Sequence, residues 1–255
     1  MIASSVSAAA APITSRCLAV AQNLLPFMRV AYTPVALEAD EVRLTFVGHS
    51  TFLIESPQGI RIATDYAGWH GQGGLPDVVT MNHAHETHYT DFVDPKIGHV
   101  LRGWNPQGGH AEHSVTVQDV FIRNVPTNIR RWSGGTEVSG NSIFIFETAG
   151  LCIGHLGHLH HELTQQQLAQ IGQLDIVMAP VDGAYTLDTG GMLKVLKELH
   201  VRLVLPMHYF GPTTLERFLT ALGGEFAVKH NDTASVVVSQ KTMPDRPQIL
   251  VLPGY

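Results

Sequence analysis

The run Thr80-Met81-Asn82-His83-Ala84-His85-Glu86-Thr87-His88-Tyr89 sets three histidines at i, i+2 and i+5 directly behind the apolar pair Val78-Val79. On extended backbone, residues two apart share a face, so His83 and His85 are expected to converge at a strand end. His88 can then swing back beside them once the chain turns. Neutral imidazole is the commonest protein ligand for zinc and also binds iron, so this spacing points to a metal centre. Other histidines follow other apolar runs: His155, His158, His160 and His161 come after Leu151-Cys152-Ile153, and His208 closes Val201 to Met207. The chain carries 15 His against 16 Lys+Arg, and this clustering favours a metal site over random enrichment.

The histidine run resembles the H-x-H-x-D-H motif of the metallo-β-lactamase superfamily. Leu44-Thr45-Phe46-Val47-Gly48-His49-Ser50-Thr51-Phe52-Leu53-Ile54-Glu55 is similar to the opening strands of its ascorbate-6-phosphate lactonase-like and N-acylphosphatidylethanolamine phospholipase D-like branch. Leu205-Pro206-Met207-His208-Tyr209 is similar to that branch's last ligand motif. The resemblance runs over roughly residues 42–210 and implies a four-layer αββα sandwich, an α/β (α+β) fold. It implies His83, His85, His88, His158 and His208 as metal ligands, Asp65 as support for a ligand histidine, and His49 near the metal. It also marks departures. Thr87 stands where the motif has Asp, His158 where the branch has a metal-bridging Asp, and Asn128 where a third ligand histidine follows an apolar strand.

These departures bear on metal count. A carboxylate that bridges two cations offsets part of their repulsion, whereas an imidazole nitrogen has a single lone pair and cannot bridge in that way. With both motif carboxylates absent, one ion is expected, zinc ahead of iron or manganese. A single divalent ion with an open position acidifies a bound water towards neutrality, enough for attack on an ester, lactone, amide or phosphodiester. Asp182 reads equally as a general acid or base and as a turn residue before Gly183, and Tyr185 as an oxyanion donor or a core tyrosine. A metal-dependent hydrolase and a non-catalytic relative that binds metal or a small ligand both remain open, since a fold does not fix a function.

The elements that must position these residues follow from pattern. Val42, Leu44 and Phe46 alternate with polar residues, and Phe52-Leu53-Ile54 and Ile60 to Ala63 continue a strand-and-turn meander. Val115 to Val117, Val120 to Ile122, Ile143 to Phe146 and Leu151 to Ile153 read as further strands, with a polar loop around residues 134–141. Strand and helix then alternate: a capping-box helix from Thr164, a strand at Asp175 to Pro180, a helix capped by Asp188, and the strand leading to His208. Residues 41–255 read as a single domain behind a poorly patterned leader, 1–40, in which 18–25 could form a short helix.

The 255 residues suffice for a well-buried core, and a net charge of -6 without a basic cluster argues against nucleic acid as a partner. A small-molecule substrate is expected, with homo-oligomerisation open, and no run is long enough for an integral membrane segment. Cys17 and Cys152 are too few for a disulfide framework, and Cys152 reads as a small buried hydrophobe. The Ser7 to Pro12 stretch resembles a cleavage region but lacks a preceding Lys or Arg. A cytoplasmic location is favoured over export by a degenerate signal.

Overall fold

The computed structural model describes residues 15–18, 37–131 and 133–254. The helix read at 18–25 lies outside them except for Leu18. The meander forms β1 (Val42–Gly48), β2 (Thr51–Glu55) and β3 (Arg61–Ala63), joined by β4 (Val78–Met81) and β5 (His99–Arg102) in parallel. With β13 (Ser235–Val238) these make a six-stranded sheet in the order β13-β1-β2-β3-β4-β5.

The second sheet has eight strands. They are β6 (Ser114–Val117), β7 (Val120–Arg130), β8 (Thr136–Thr148), β9 (Leu151–His155), β10 (Ile176–Pro180), β11 (Leu203–Met207), β12 (Ala227–His230) and β14 (Gln248–Val251). Their order is β12-β14-β11-β10-β9-β8-β7-β6, with β9, β10 and β11 parallel. Residues 136–141, expected in a polar loop, are the start of β8 and pair with the end of β7, Thr136 opposite Arg130. Polar outward positions in a strand register as loop when read alone, whereas Ile129 and Gly140 face each other so closely that a Cβ on Gly140 would meet Ile129 at 2.7 Å.

Apolar side chains on the facing surfaces of the two sheets form one core, with Phe52, Phe144, Phe146 and Met207 fully buried. A second core lies under three helices: α1 (Gln165–Ile171), α2 (Thr189–Glu198) and α3 (Pro212–Ala221). Thr164 closes a capping box with Gln167, and Asp188 caps α2 by accepting from the Gly191 amide. On the other outer face, residues 83–98 pack Tyr89 and Val93 against Val79 and Met81. The layers therefore follow the four-layer order, with an irregular segment covering the six-stranded sheet.

The cysteines correct the sequence reading, because Cys17 and Cys152 form a disulfide with a Cα–Cα distance of 5.9 Å. Closing a loop of 135 residues removes about 5 kcal/mol of unfolded-state entropy in the chain-entropy account. Glu147 anchors the same segment, accepting from the Ser15 hydroxyl, the Arg16 amide and the Arg123 guanidinium. Composition could not show this pairing, since two cysteines so far apart are brought together only by the fold.

Candidate metal centre

Parallel strands send their carboxyl ends to one edge, and the polar residues stand just beyond those ends. Asp65 follows β3, His85 and His88 follow β4, His158 follows β9, Asp182 follows β10 and His208 follows β11. At that edge His85, His88, His158 and His208 gather with one candidate ligand atom each, all within 4.8 Å of one another. The Nε2 atoms of His85 and His158 are 3.1 Å apart.

The outer nitrogens are fixed from behind. His88 Nδ1 lies 2.6 Å from Asp65 Oδ2, and His208 Nδ1 lies 3.0 Å from Asp182 Oδ1. A carboxylate on Nδ1 directs the proton there and leaves Nε2 as a lone-pair donor, the usual support behind a metal-bound imidazole. The Nε2 atoms of both His88 and His208 are buried with no hydrogen-bond partner. An unpaired buried polar atom costs about 1–3 kcal/mol, and a cation at the cluster removes that cost. The donor set therefore fits a divalent ion.

Further contacts hold the frame. The Asn82 side-chain amide donates to Asp65 Oδ1 at 2.8 Å, while its carbonyl accepts from the Ser142 amide at 2.7 Å, tying the two sheets together beneath the site. Gly157 packs against this tie, where a Cβ would stand 2.4 Å from both Asn82 Nδ2 and Asn141 Oδ1. Its φ of +59° is a second reason for glycine beside His158. His49, Asp65 and His208 also take positive φ at non-glycine positions, so the backbone at the site holds strained conformations.

Electrostatics keep His49, His85 and His158 neutral. Burial, with His88 and His208 adding repulsion, lowers His85 to about 4, and burial with the cluster's other histidines lowers His49 to about 3. Burial followed by its imidazole neighbours pushes His158 far below its ordinary value. Burial alone would raise the Asp65 carboxyl, but His88, His155 and hydrogen bonds from His88 and Asn82 outweigh it and hold the group ionised. Neutral imidazoles are the form that binds a cation.

The remaining expected residues fall as follows. His83 turns away: its Nδ1 sits 2.7 Å from Glu137 Oε1 and its ring stacks on Trp104 at 4.9 Å. The strand ends at Met81, so the two-residue rule that paired His83 with His85 no longer applies at these positions. Thr87 Oγ1 lies 2.7 Å from His85 Nδ1 and 3.0 Å from His49 Nε2, linking those rings. The His49 ring lies tilted against that of His208, centroids 4.3 Å apart, and the His208 amide donates to the His49 carbonyl. Asn128 is outside the cluster, its Oδ1 accepting from the Ser139 amide within the β7–β8 ladder.

Of the two readings of Asp182, the acid–base one does not suit the geometry. One oxygen is bonded to His208 and Thr186, and the other accepts the amides of Ala184, Tyr185 and Thr186. Burial opposes ionisation, yet this set of donors keeps the carboxylate charged and fully engaged. Tyr185 is half-exposed and meets Phe210 edge-on, so it is not a core tyrosine. His155 is buried with Nε2 2.8 Å from the Ser50 carbonyl, and His160 Nε2 meets His158 Nδ1. Sequence reasoning passed over Asn82 and Arg130; for Arg130 the available signal was the paired Arg130-Arg131 behind an apolar strand in an acidic chain.

Comparison with known proteins agrees with this architecture. Residues 43–208 match the family model described as a beta-lactamase superfamily domain, and the chain belongs to that family. A protein of Pyrococcus furiosus named a UPF0173 metal-dependent hydrolase is 26% identical over 190 residues, covering 66% of this chain and 84% of that protein. A UPF0173 metal-dependent hydrolase of Salinibacter ruber is 24% identical, covering 74% of this chain and 94% of its own. Among solved structures, a candidate zinc-dependent hydrolase of the metallo-β-lactamase superfamily from Thermotoga maritima superposes with a TM-score of 0.61 at 25% identity. That match covers 84% of this chain and all of the other (100%).

Proposed function

We propose that this chain is a mononuclear metal-dependent hydrolase in which His85, His88, His158 and His208 hold one divalent ion, zinc ahead of iron or manganese. The observation that carries this is the pair of buried, unpartnered Nε2 atoms on His88 and His208, each backed by a carboxylate at Nδ1. The metal-dependent hydrolase names of the relatives support the same reading. When bound, the ion supplies Lewis-acid polarisation and an acidified water.

The chain's own residues do the rest. Asp65 and Asp182 fix the tautomers of His88 and His208, and Thr87 holds His85 by its second nitrogen. His160 plays the same part behind His158. Tyr185, on the wall of the pocket beside His85 and His158, is the candidate donor to an oxyanion formed at the cleaved bond. The substrate is a small molecule. Asn128 and His83 stay outside the ligand set.

The disulfide bears on location. Disulfides persist in oxidising compartments and are rare where thiols are kept reduced, so export is favoured over the cytoplasm. Among the described residues no helix is long and apolar enough to cross a membrane.

The test is elemental analysis of protein purified without added metal, followed by a screen of esters, lactones and phosphodiesters. Co-purifying metal and turnover that is lost on chelation and restored by zinc are expected. Tight metal binding without turnover of any of these would favour the non-catalytic reading.

A further inference from the structure

The pocket that opens onto His85 and His158 encloses about 260 Å³, slightly under the usual range for ligand sites, and so suits a small molecule. Arg130, the last residue of β7, and Arg131 beyond it give the pocket a cationic lining, and Tyr185 lines it as well. No carboxylate lines it among the described residues, although the chain has 22 Asp+Glu against 16 Lys+Arg.

The two arginines differ. Arg131 is already engaged, its Nε 3.5 Å from Glu137 Oε2. Arg130 is held without being neutralised: Nη2 donates to the Thr186 carbonyl at 2.7 Å, Nε reaches His160 Nδ1 at 3.4 Å, and the backbone amide donates to the same nitrogen at 2.9 Å, which leaves the outer Nη1–Nη2 edge for a ligand. Among the described residues no carboxylate pairs with its guanidinium. A surface arginine usually ranges freely in water. This one is tethered by the carbonyl of a residue four beyond Asp182, and its amide fixes the ring that backs His158. Its charge therefore faces the same small space as the candidate ligands.

We propose that Arg130 binds an oxyanionic group of the substrate, so that the site takes small carboxylate- or phosphate-bearing molecules with the reacting bond directed at the histidine cluster. A planar guanidinium suits both groups because it offers parallel N–H donors to two oxygens. The inference rests on the hydrolase reading for the bond cleaved, but not for the binding of the anion. Arg131, compensated by Glu137, contributes less.

Zinc-loaded full chain would be titrated with inorganic phosphate and with acetate by calorimetry, for the unmodified protein and for Arg130→Gln, Arg130→Lys and Arg131→Gln. The expected result is a loss of about tenfold or more in affinity for at least one anion in Arg130→Gln, with zinc content unchanged. Arg130→Lys should recover part of the loss, and Arg131→Gln should lose less. The anion bound more tightly names the group. Equal affinity for both anions in the unmodified protein and Arg130→Gln would overturn the proposal. In parallel, the ratio of kcat/KM for a carboxylate-bearing 4-nitrophenyl succinate over neutral 4-nitrophenyl acetate should exceed one and collapse in Arg130→Gln. If neither ester is hydrolysed while phosphate or acetate binding still depends on Arg130, the hydrolase reading fails and the anion site stands.

Discussion

Two regions of this molecule bury charge, and they do so in opposite ways. Glu147 and Arg123 answer each other: the two Glu147 oxygens accept from Ser15, Arg16 and Arg123, and Arg123 also donates to the carbonyls of Gln170 and Ile171. At the histidine edge, Asp65 and Asp182 are equally well supplied, yet the imidazoles that they orient each present a buried nitrogen to nothing. A structural network closes on itself, whereas a binding site is left one partner short. That difference, more than the number of histidines, separates staple from site.

The comparison can be broken at either end. The largest effect is expected from His208→Ala or His88→Ala, which should abolish stoichiometric zinc retention by elemental analysis while leaving the far-ultraviolet circular dichroism intact. Next comes Glu147→Ala, which strands Arg123 and should cost about 3–5 kcal/mol in denaturant unfolding with zinc content unchanged. If the Glu147 variant lost zinc as readily as the His208 variant, the two regions would not be separate. Asp65→Asn keeps the shape but weakens the direction of the His88 proton, and roughly a 10–100-fold loss of zinc affinity is expected in a chelator competition.

The smallest effect is on pH. His49, His85 and His160 have folded values of about 3 to 4, below the ordinary 6.5, so the unfolded chain binds more protons between those limits. Stability of the metal-free protein should therefore fall as the pH drops from about 6.5 towards 4, and go on falling below, where His158 is still neutral in the folded chain. Thermal melts of metal-free protein across that range check the sign. A Tm that rises on acidification would contradict it.

How much of this was readable beforehand depends on the range of the interaction. His85, His88, His158, His208 and Asp65 were named through the family resemblance, and the fold gathers them because each follows a strand and parallel strands deliver their ends to one edge. His83 was misplaced because its direction is decided by Glu137, 54 residues on, and by Trp104 rather than by local alternation. Asp182 stayed open between a reactive carboxylate and a turn residue because its sequence neighbours do not show that His208, the Thr186 hydroxyl and three amides use up its lone pairs. The Cys17–Cys152 bond and the length of the β7–β8 hairpin were hidden too, since both depend on cross-chain register. Arg130 was overlooked for a related reason: that no carboxylate among the described residues pairs with it is something only packing can show.

X-ray absorption at the zinc edge of protein carrying its bound metal distinguishes a one-ion imidazole site from a two-ion one. The account predicts one zinc per chain with nitrogen donors at about 2.0–2.1 Å and the multiple scattering of three to four imidazoles. It predicts no second metal in the outer shell. A stoichiometry of two with metal–metal scattering near 3.5–4 Å would contradict the account, and so would a zinc site without imidazole scattering.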